Sequence, residues 1–291
     1  MSNRCAIRCN ESYICPMNTP PASISRAMIL AAGLGTRFKP WTDRHPKALA
    51  VINGKSLLRR NVEYLQRYGI REIVVNVHHF ADQIVEALRT SKGWGSEIMI
   101  SDETAAVLET GGGLKKARPL LEKAPFVLMN VDILTDMDLG AMIADHVEHR
   151  PLATLATTNR STSRYFLFDK QDELCGWRNV QTGQERLARP AVGLNEQTSP
   201  AAASHDPTSP AGGLHEPNHL ADGLRQKAFS GIHVIDPAIF DLIRLDGKFS
   251  MVDLYLDLAA TQIIRGYDHS DSKLIDVGKP SSAEEAARLF M

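Results

Sequence analysis

Cysteine is scarce in this chain, four in 291 residues, and three of the four, Cys5, Cys9 and Cys15, crowd into its opening stretch. They do not make the even set of a secreted disulfide scaffold, so a reducing, cytoplasmic setting is expected. No histidine or further cysteine stands nearby to complete a metal ligand set. The cluster is therefore read as part of a disordered extension over residues 1–25, with Met17 as an alternative start. Charge of either sign is in no excess: 33 Lys and Arg against 34 Asp and Glu leave a net −1. No basic block would track a phosphodiester backbone, and nucleic acid is not an expected partner. Nothing before Ala27 is continuously apolar, so neither a signal peptide nor a membrane span is expected.

What the chain does have is a hydrophobic fraction of 43%, enough to bury the core of one large α/β domain. The apolar run Ala27-Met28-Ile29-Leu30 leads into Ala31-Ala32-Gly33-Leu34-Gly35-Thr36-Arg37, a strand entering a glycine-rich loop. Gly33 and Gly35 let backbone N–H groups come close to an anion, and Arg37 and Lys47 add two cationic donors suited to phosphate. A dinucleotide fingerprint would need a small residue where Phe38 stands. A P-loop would continue into Gly-Lys-Ser/Thr, which this loop does not. The loop reads as a polyphosphate holder of another kind.

Beyond it, the spacing predicts a helix from Ser56 to Tyr68, a strand Glu72–Val77, a helix Ala81–Arg89 and a strand Glu97–Ile100, the alternation that implies parallel pairing through right-handed crossovers. Leu108-Glu109-Thr110-Gly111-Gly112-Gly113 opens a further helix. Its three glycines either admit a flat ligand against bare backbone or simply loosen a helix start. Phe126–Asn130 has the apolar run of a central parallel strand and delivers Asp132 at its carboxyl end, where the carboxylate either holds a hard cation or caps a turn. Asp136 and Asp138 are read as caps of a helix Leu139–His149. His78 and His79 are left as a loop pair. Ala153–Thr158 reads as a strand, and residues 163–169 and 173–177 as an antiparallel hairpin. From about 189 to 223 the composition turns to Pro, Ala, Ser, Gly and Asn, read as a flexible, low-complexity insertion expanded by local duplication. A strand Ala228–Ile235, a short helix to Leu242, a helix Met251–Ile264 and a final strand through Asp276 complete the chain.

The motif Gly33-x-Gly35-Thr36-Arg37, followed by Pro46-Lys47, resembles the sugar-1-phosphate nucleotidylyltransferase family. The resemblance covers residues 26–291 apart from the insertion. It implies an open, mostly parallel Rossmann-like sheet with a small β-rich sugar-binding lobe. The implied substrates are a nucleoside triphosphate and a sugar 1-phosphate, the cofactor is Mg2+, and the assembly is a monomer or homodimer. Carried over residue by residue, Ala32, Gly33, Gly35, Thr36, Arg37, Lys47, Glu109, Gly111 and Gly112 are nucleotide-binding candidates. Thr110, Asn179 and Gly231 are substrate-binding candidates, with Arg164 and Trp177 beside Asn179 either meeting a sugar phosphate or making an ordinary core and surface. Asp132 and Asp276 are the metal candidates; the family usually places glycine before the first of them, where this chain has Val131. Arg37, Lys47 and Asp132 are implied to be catalytic. Because a phosphate nucleophile is already ionised near neutral pH, the reaction needs no base, which accords with the lack of a Ser-His or Cys-His arrangement. Within the family, the Glu109–Gly113 stretch and the short length resemble members that use UTP and N-acetylmuramate 1-phosphate, and the resemblance implies that pair. Guanylyl transfer to mannose or heptose 1-phosphate is the rival, and a catalytically silent nucleotide-sugar sensor is the reading from another class.

Overall fold

Four parallel strands occupy the centre of the molecule, in the spatial order Glu97–Asp102, Glu72–Val77, Arg26–Leu30 and Phe126–Asn130. The computed structural model describes residues 24–189 and 223–290. The strands read as near-continuous apolar runs because both faces are covered. Ala27, Ile29, Ile73, Val75, Val127 and Met129 pack on one face beneath the helices Leu57–Gln66, Ala81–Thr90 and Leu139–His149. Met28, Leu30, Val74, Phe126 and Leu128 point the other way, onto Leu114, Leu254 and Tyr255 of the helices Glu109–Lys116 and Met251–Leu258. The two-residue period of a strand thus divides one sequence run between two cores. Ser56 caps the first helix, its hydroxyl accepting from Arg59 N–H at 3.2 Å. Asp138 does the same for Leu139–His149. Asp136, expected to share that work, instead accepts from the N–H of Lys273 at 2.7 Å.

The other half of the sheet turns antiparallel. Strand Arg225–Ile235 runs along Phe126–Met129 with its last residues and along the hairpin strand Arg164–Phe168 with its first. Between these two parts, at Gly231, φ is +75° and the register against Ala153–Thr158 shifts. That one strand therefore belongs both to the central sheet and to the small lobe formed by Arg164–Phe168, Leu174–Asn179 and Gln184–Leu187.

Two expectations about the carboxyl-terminal part need correction. The helix from Met251 ends at Leu258, and Ile264–Asp268 is a strand parallel to Ala153–Thr157. Its partner lies more than a hundred residues away, so no local pattern marks the pairing. Leu274–Asp276 does not close the main sheet; it pairs with Ile133–Thr135 in a separate two-stranded ribbon. A helix Pro280–Leu289 follows and lays Ala283, Ala286 and Ala287 against Phe38, Ile52 and Leu57, a third core. Of the segments expected to stay outside the core, residues 1–23 and 190–222 lie outside the described residues. Ile24 is already buried, and Arg189 pairs with Glu173. Among the described residues, no helix is long and apolar enough to cross a membrane.

Candidate active site

The strand Arg26–Leu30 delivers the glycine loop to the carboxyl edge of the sheet, where open α/β sheets collect ligands. The amide oxygen of Asn76, one strand over, accepts from the N–H groups of Ala31 and Ala32 at 2.6 and 3.2 Å, which pins the start of the loop. The N–H groups of Gly33 through Arg37 are left without a protein acceptor among the described residues, as an anion-binding loop requires. Gly35 has φ +62°, and a Cβ there would stand 2.9 Å from Thr42 Cγ2 and 3.2 Å from Lys47 Cβ. Only glycine permits that turn with the lysine packed beneath it. Gly33 keeps a negative φ and open space around its Cα.

A cleft of about 450 Å³ opens between this loop and the strand ends. Ala32, Gly33, Gly35, Thr36, Arg37 and Lys47 line one wall, with Asp132 at the end of the central strand. Lys47 is only 9% exposed, and its ammonium donates to Asp132 Oδ2 at 2.5 Å. The ribbon brings in the second carboxylate: Asp276 lies opposite Ile133, and the N–H of Val277 donates to the carbonyl of Asp132 at 2.9 Å. Arg37 reaches the same place, since a Cβ on Gly278 would lie 3.3 Å from its Cζ and 3.1 Å from Asp276 Oδ1. Although water reaches Asp276 at the rim, the surrounding protein and, next, the Asp132 charge push its carboxyl above the usual carboxylate range; Lys47 and Arg37 pull the other way. Two carboxylates held side by side against their own repulsion form a set of hard oxygen donors that a divalent cation would relieve. Two is the number that Mg2+ commonly takes from protein, leaving positions for water and phosphate. Among the described residues no cluster of three or more His, Cys, Asp or Glu offers a fuller ligand set.

Glu109 and Thr110 line the opposite wall. Glu109 pairs with Lys248 at 3.2 Å, and Thr110 Oγ1 accepts from Met251 N–H at 2.9 Å. Gly111 and Gly112 stand behind that wall and do not line the cleft. Both N–H groups donate to the carbonyl of Phe249, at 3.0 and 3.2 Å. A Cβ on Gly111 would fall 2.4 Å from the Phe249 ring, and one on Gly112 would fall 2.3 Å from the Gly247 carbonyl oxygen. Their smallness lets the 247–249 loop dock, which places Lys248 at the cleft. In an ordinary helix interior Gly→Ala stabilises by up to about 1 kcal/mol. Gly112→Ala is expected to do the reverse, lowering stability by about 1–3 kcal/mol through overpacking, as read by urea denaturation.

Gly231 lies behind a lining residue and does not itself line the cleft. A Cβ there would meet Asn130 Nδ2 at 2.7 Å, and Asn130 lines the cleft two residues before Asp132. Asn179 is elsewhere: its amide oxygen accepts from the N–H groups of Gln181 and Thr182, closing the turn of the small lobe. Arg164 pairs across that hairpin with Asn179, and Trp177 packs on the second core. None of these three lines the cleft.

Glu103, Asn76 and Lys248 are among the lining residues that escape a reading of the sequence. Glu103 is 1% exposed, accepts from Asn76 Nδ2 at 2.8 Å, and has its carboxyl raised by burial. It follows the strand Glu97–Asp102 as Asp132 follows Phe126–Asn130, and that shared position was the available signal. Asn76 interrupts an otherwise apolar strand, a second signal. Lys248 carried none, because its place depends on the Gly111–Gly112 contact.

Comparison with known proteins accords with this geometry. The family model described as Nucleotidyl transferase matches residues 26–181. An N-acetylmuramate alpha-1-phosphate uridylyltransferase of Caulobacter vibrioides is 44% identical over 119 residues, 40% of this chain and 49% of that protein. A mannose-1-phosphate guanylyltransferase catalytic subunit beta of Drosophila melanogaster is 32% identical over 137 residues, 46% of this chain and 37% of the relative. The chain thus spans about half, or less, of the length of these curated relatives. Among solved structures, HddC from Yersinia pseudotuberculosis complexed with GMP-PN superposes with a TM-score of 0.66 at 21% identity, over 92% of this chain and 100% of that one. A UDP-glucose pyrophosphorylase complexed with UDP-glucose gives 0.66 at 16% identity, over 92% and 98%, so the fold is shared. A family match that covers more than half of the chain and takes in Arg37, Lys47 and Asp132 makes this protein a member of the nucleotidyl transferase family.

Proposed function

We propose that the chain moves a nucleotidyl group from a nucleoside triphosphate to a sugar 1-phosphate and releases pyrophosphate, with UTP and N-acetylmuramate 1-phosphate as the favoured pair. The convergence of Arg37, Lys47 and Asp132 on one cleft, with Asp276 beside Arg37 and Gly278 at its edge, carries this reading. The acceptor phosphate is ionised near neutral pH, so the residues have charge to neutralise and no proton to remove. Arg37 and the free N–H groups of the glycine loop take the departing pyrophosphate. Lys47, fixed by Asp132 and by packing against Gly35, faces the α-phosphate. Asp132 and Asp276 would hold Mg2+, which supplies charge neutralisation of phosphate oxygens when bound.

The nucleobase reading rests on Glu103 and on the relatives. One Glu103 oxygen already accepts from Asn76. The other leaves an acceptor that the N3–H of uracil could meet. The uridylyltransferases of Caulobacter vibrioides and Neisseria meningitidis, both 44% identical in their matched parts, support the same base and sugar and with them a place in cell-wall sugar recycling. Guanylyl transfer is the second reading, favoured by the mannose-1-phosphate guanylyltransferases among the relatives.

Pyrophosphate release, measured across UTP, GTP, CTP, ATP and dTTP against a panel of sugar 1-phosphates, tests all of this. The expected result is turnover confined to UTP with N-acetylmuramate 1-phosphate. Release with GTP and mannose 1-phosphate would establish the rival, and nucleotide-sugar binding without release from any pair would make the protein a sensor.

A further inference from the structure

We propose that a second pocket, beside the ribbon that carries Asp132 and Asp276, binds a small phosphate-bearing anion. The pocket has a volume of about 380 Å³ and shares no lining residue with the nucleotide cleft. Arg60, Tyr64 and Arg67 reach it from one side of the helix Leu57–Gln66 and its last turn, Leu134 and Thr135 from the ribbon, and Phe290 from the carboxyl-terminal segment. Spacing of three and four residues puts the first three on one helix face.

Both arginines at this pocket keep guanidinium donors that no carboxylate among the described residues takes. Among the described residues neither Arg60 nor Arg67 enters an ion pair. Arg60 donates Nε and Nη2 to the carbonyl of Ile52 at 3.0 and 2.7 Å, and the Arg67 guanidinium stands 5.1 Å from the Tyr64 ring centroid. The nearby carboxylates are committed elsewhere. Glu63, which also lines the pocket, takes Lys55 and Arg59; Asp136 accepts from Lys273 N–H, and Asp138 caps its helix. Two guanidiniums, neither bonded to a carboxylate and both beside a Glu63 that Lys55 and Arg59 hold, share one cavity with an aromatic floor and suit a phosphate group, for which the forked donors of arginine are well shaped. An ion pair with a protein acid would have consumed that capacity.

The pocket also touches what the chemistry depends on. Asn61, between the two arginines in sequence and lining the pocket, donates Nδ2 to the carbonyl of Val131 at 2.7 Å, one residue before Asp132. Thr135 Oγ1 donates to the carbonyl of Lys273 at 2.7 Å, tying the two ribbon strands together. An anion seated here contacts the helix and the ribbon that position both acidic side chains.

Binding tests the proposal without reference to catalysis. The Arg37→Ala chain weakens the competing anion contacts in the cleft, and inorganic phosphate and glycerol 3-phosphate are titrated into it calorimetrically. One site is expected to persist, and adding Arg67→Ala is expected to weaken it at least about tenfold, as loss of a charge-assisted contact should. The tighter of the two probes assigns the source as free phosphate or a phosphate ester. Arg67 is exposed, so the double variant should keep the circular dichroism spectrum of its parent. A crystal of the full chain soaked in tungstate should show anomalous density between Arg60 and Arg67. Density at the Gly33–Arg37 loop alone, or an affinity that Arg67→Ala leaves unchanged, would overturn the proposal.

Discussion

Lys47→Ala should lower the rate of pyrophosphate release by roughly 10²–10³-fold, the scale seen when one preorganised donor to a transition-state oxyanion is removed. The side chain is suited to such a role because it is not free to wander. It leaves a single 3-10 turn, Lys47–Leu49, whose next residue, Ala48, is buried in the core. Its stem lies under Gly35, and its ammonium is held on Asp132. A cation fixed before substrate arrives does not have to be reoriented during the reaction, which is where electrostatic catalysis gains its advantage. The loss should appear mainly in kcat, with a smaller change in KM, because Arg37 and the loop N–H groups still bind the triphosphate. Thermal unfolding should stay within a few degrees of the parent chain. Steady-state kinetics showing turnover within about threefold of the parent would take Lys47 out of the chemistry.

Asp276→Asn is expected to separate stability from activity. Its carboxyl sits above the ordinary range because the folded protein disfavours its ionised form, through burial and then through Asp132. For an acid raised in this way, the folded state loses stability as pH climbs from the unfolded-state pKa to the folded one, and the deficit persists above both. Asparagine removes that deficit. At neutral pH the variant should therefore melt at the same temperature as the parent or higher, while below both pKa values the two should coincide. Water at the rim keeps the difference small. Activity should fall by about two orders of magnitude or more, and the Mg2+ concentration for half-maximal rate should rise, since a neutral amide is a weaker ligand than a carboxylate. A parent-like Mg2+ dependence in Asp276→Asn would show that Asp276 is no ligand. A lower melting temperature at neutral pH would mean that the side chain is structurally needed instead.

Much of the site could be read from local pattern because its parts are local. The glycine loop follows a buried strand, and Asp132 follows another; strand-end position alone directs both to the same edge of a parallel sheet. The polar partners were harder to see. Asn76 matters because its amide spans from Ala31 and Ala32 to Glu103, and Asn61 because it reaches Val131, contacts across 27 to 70 residues of chain. A lone asparagine has no period to detect, and its worth is decided by which backbone groups arrive beside it. The run Gly111–Gly113 shows a third use of bare backbone. Composition left a ligand surface and a loose helix start both open, and in the fold Phe249 and Gly247 fill the space beside Gly111 and Gly112, while Glu103 and Asn76 fill it beside Gly113.

By itself, the order of residues determined the alternation of strands and helices and the glycine loop after the first strand, and resemblance to a family named the four charged groups as candidates. Hydrophobic period, glycine and charge act over a few residues, and they act wherever they are placed. Only the tertiary structure decided that Asp276 stands beside Asp132, that Ile264–Asp268 is a strand, and that Asn179 closes a turn away from the cleft. Each of these depends on a partner distant along the chain or on the space left after packing, and the free energy of such a contact exists only once both surfaces have met.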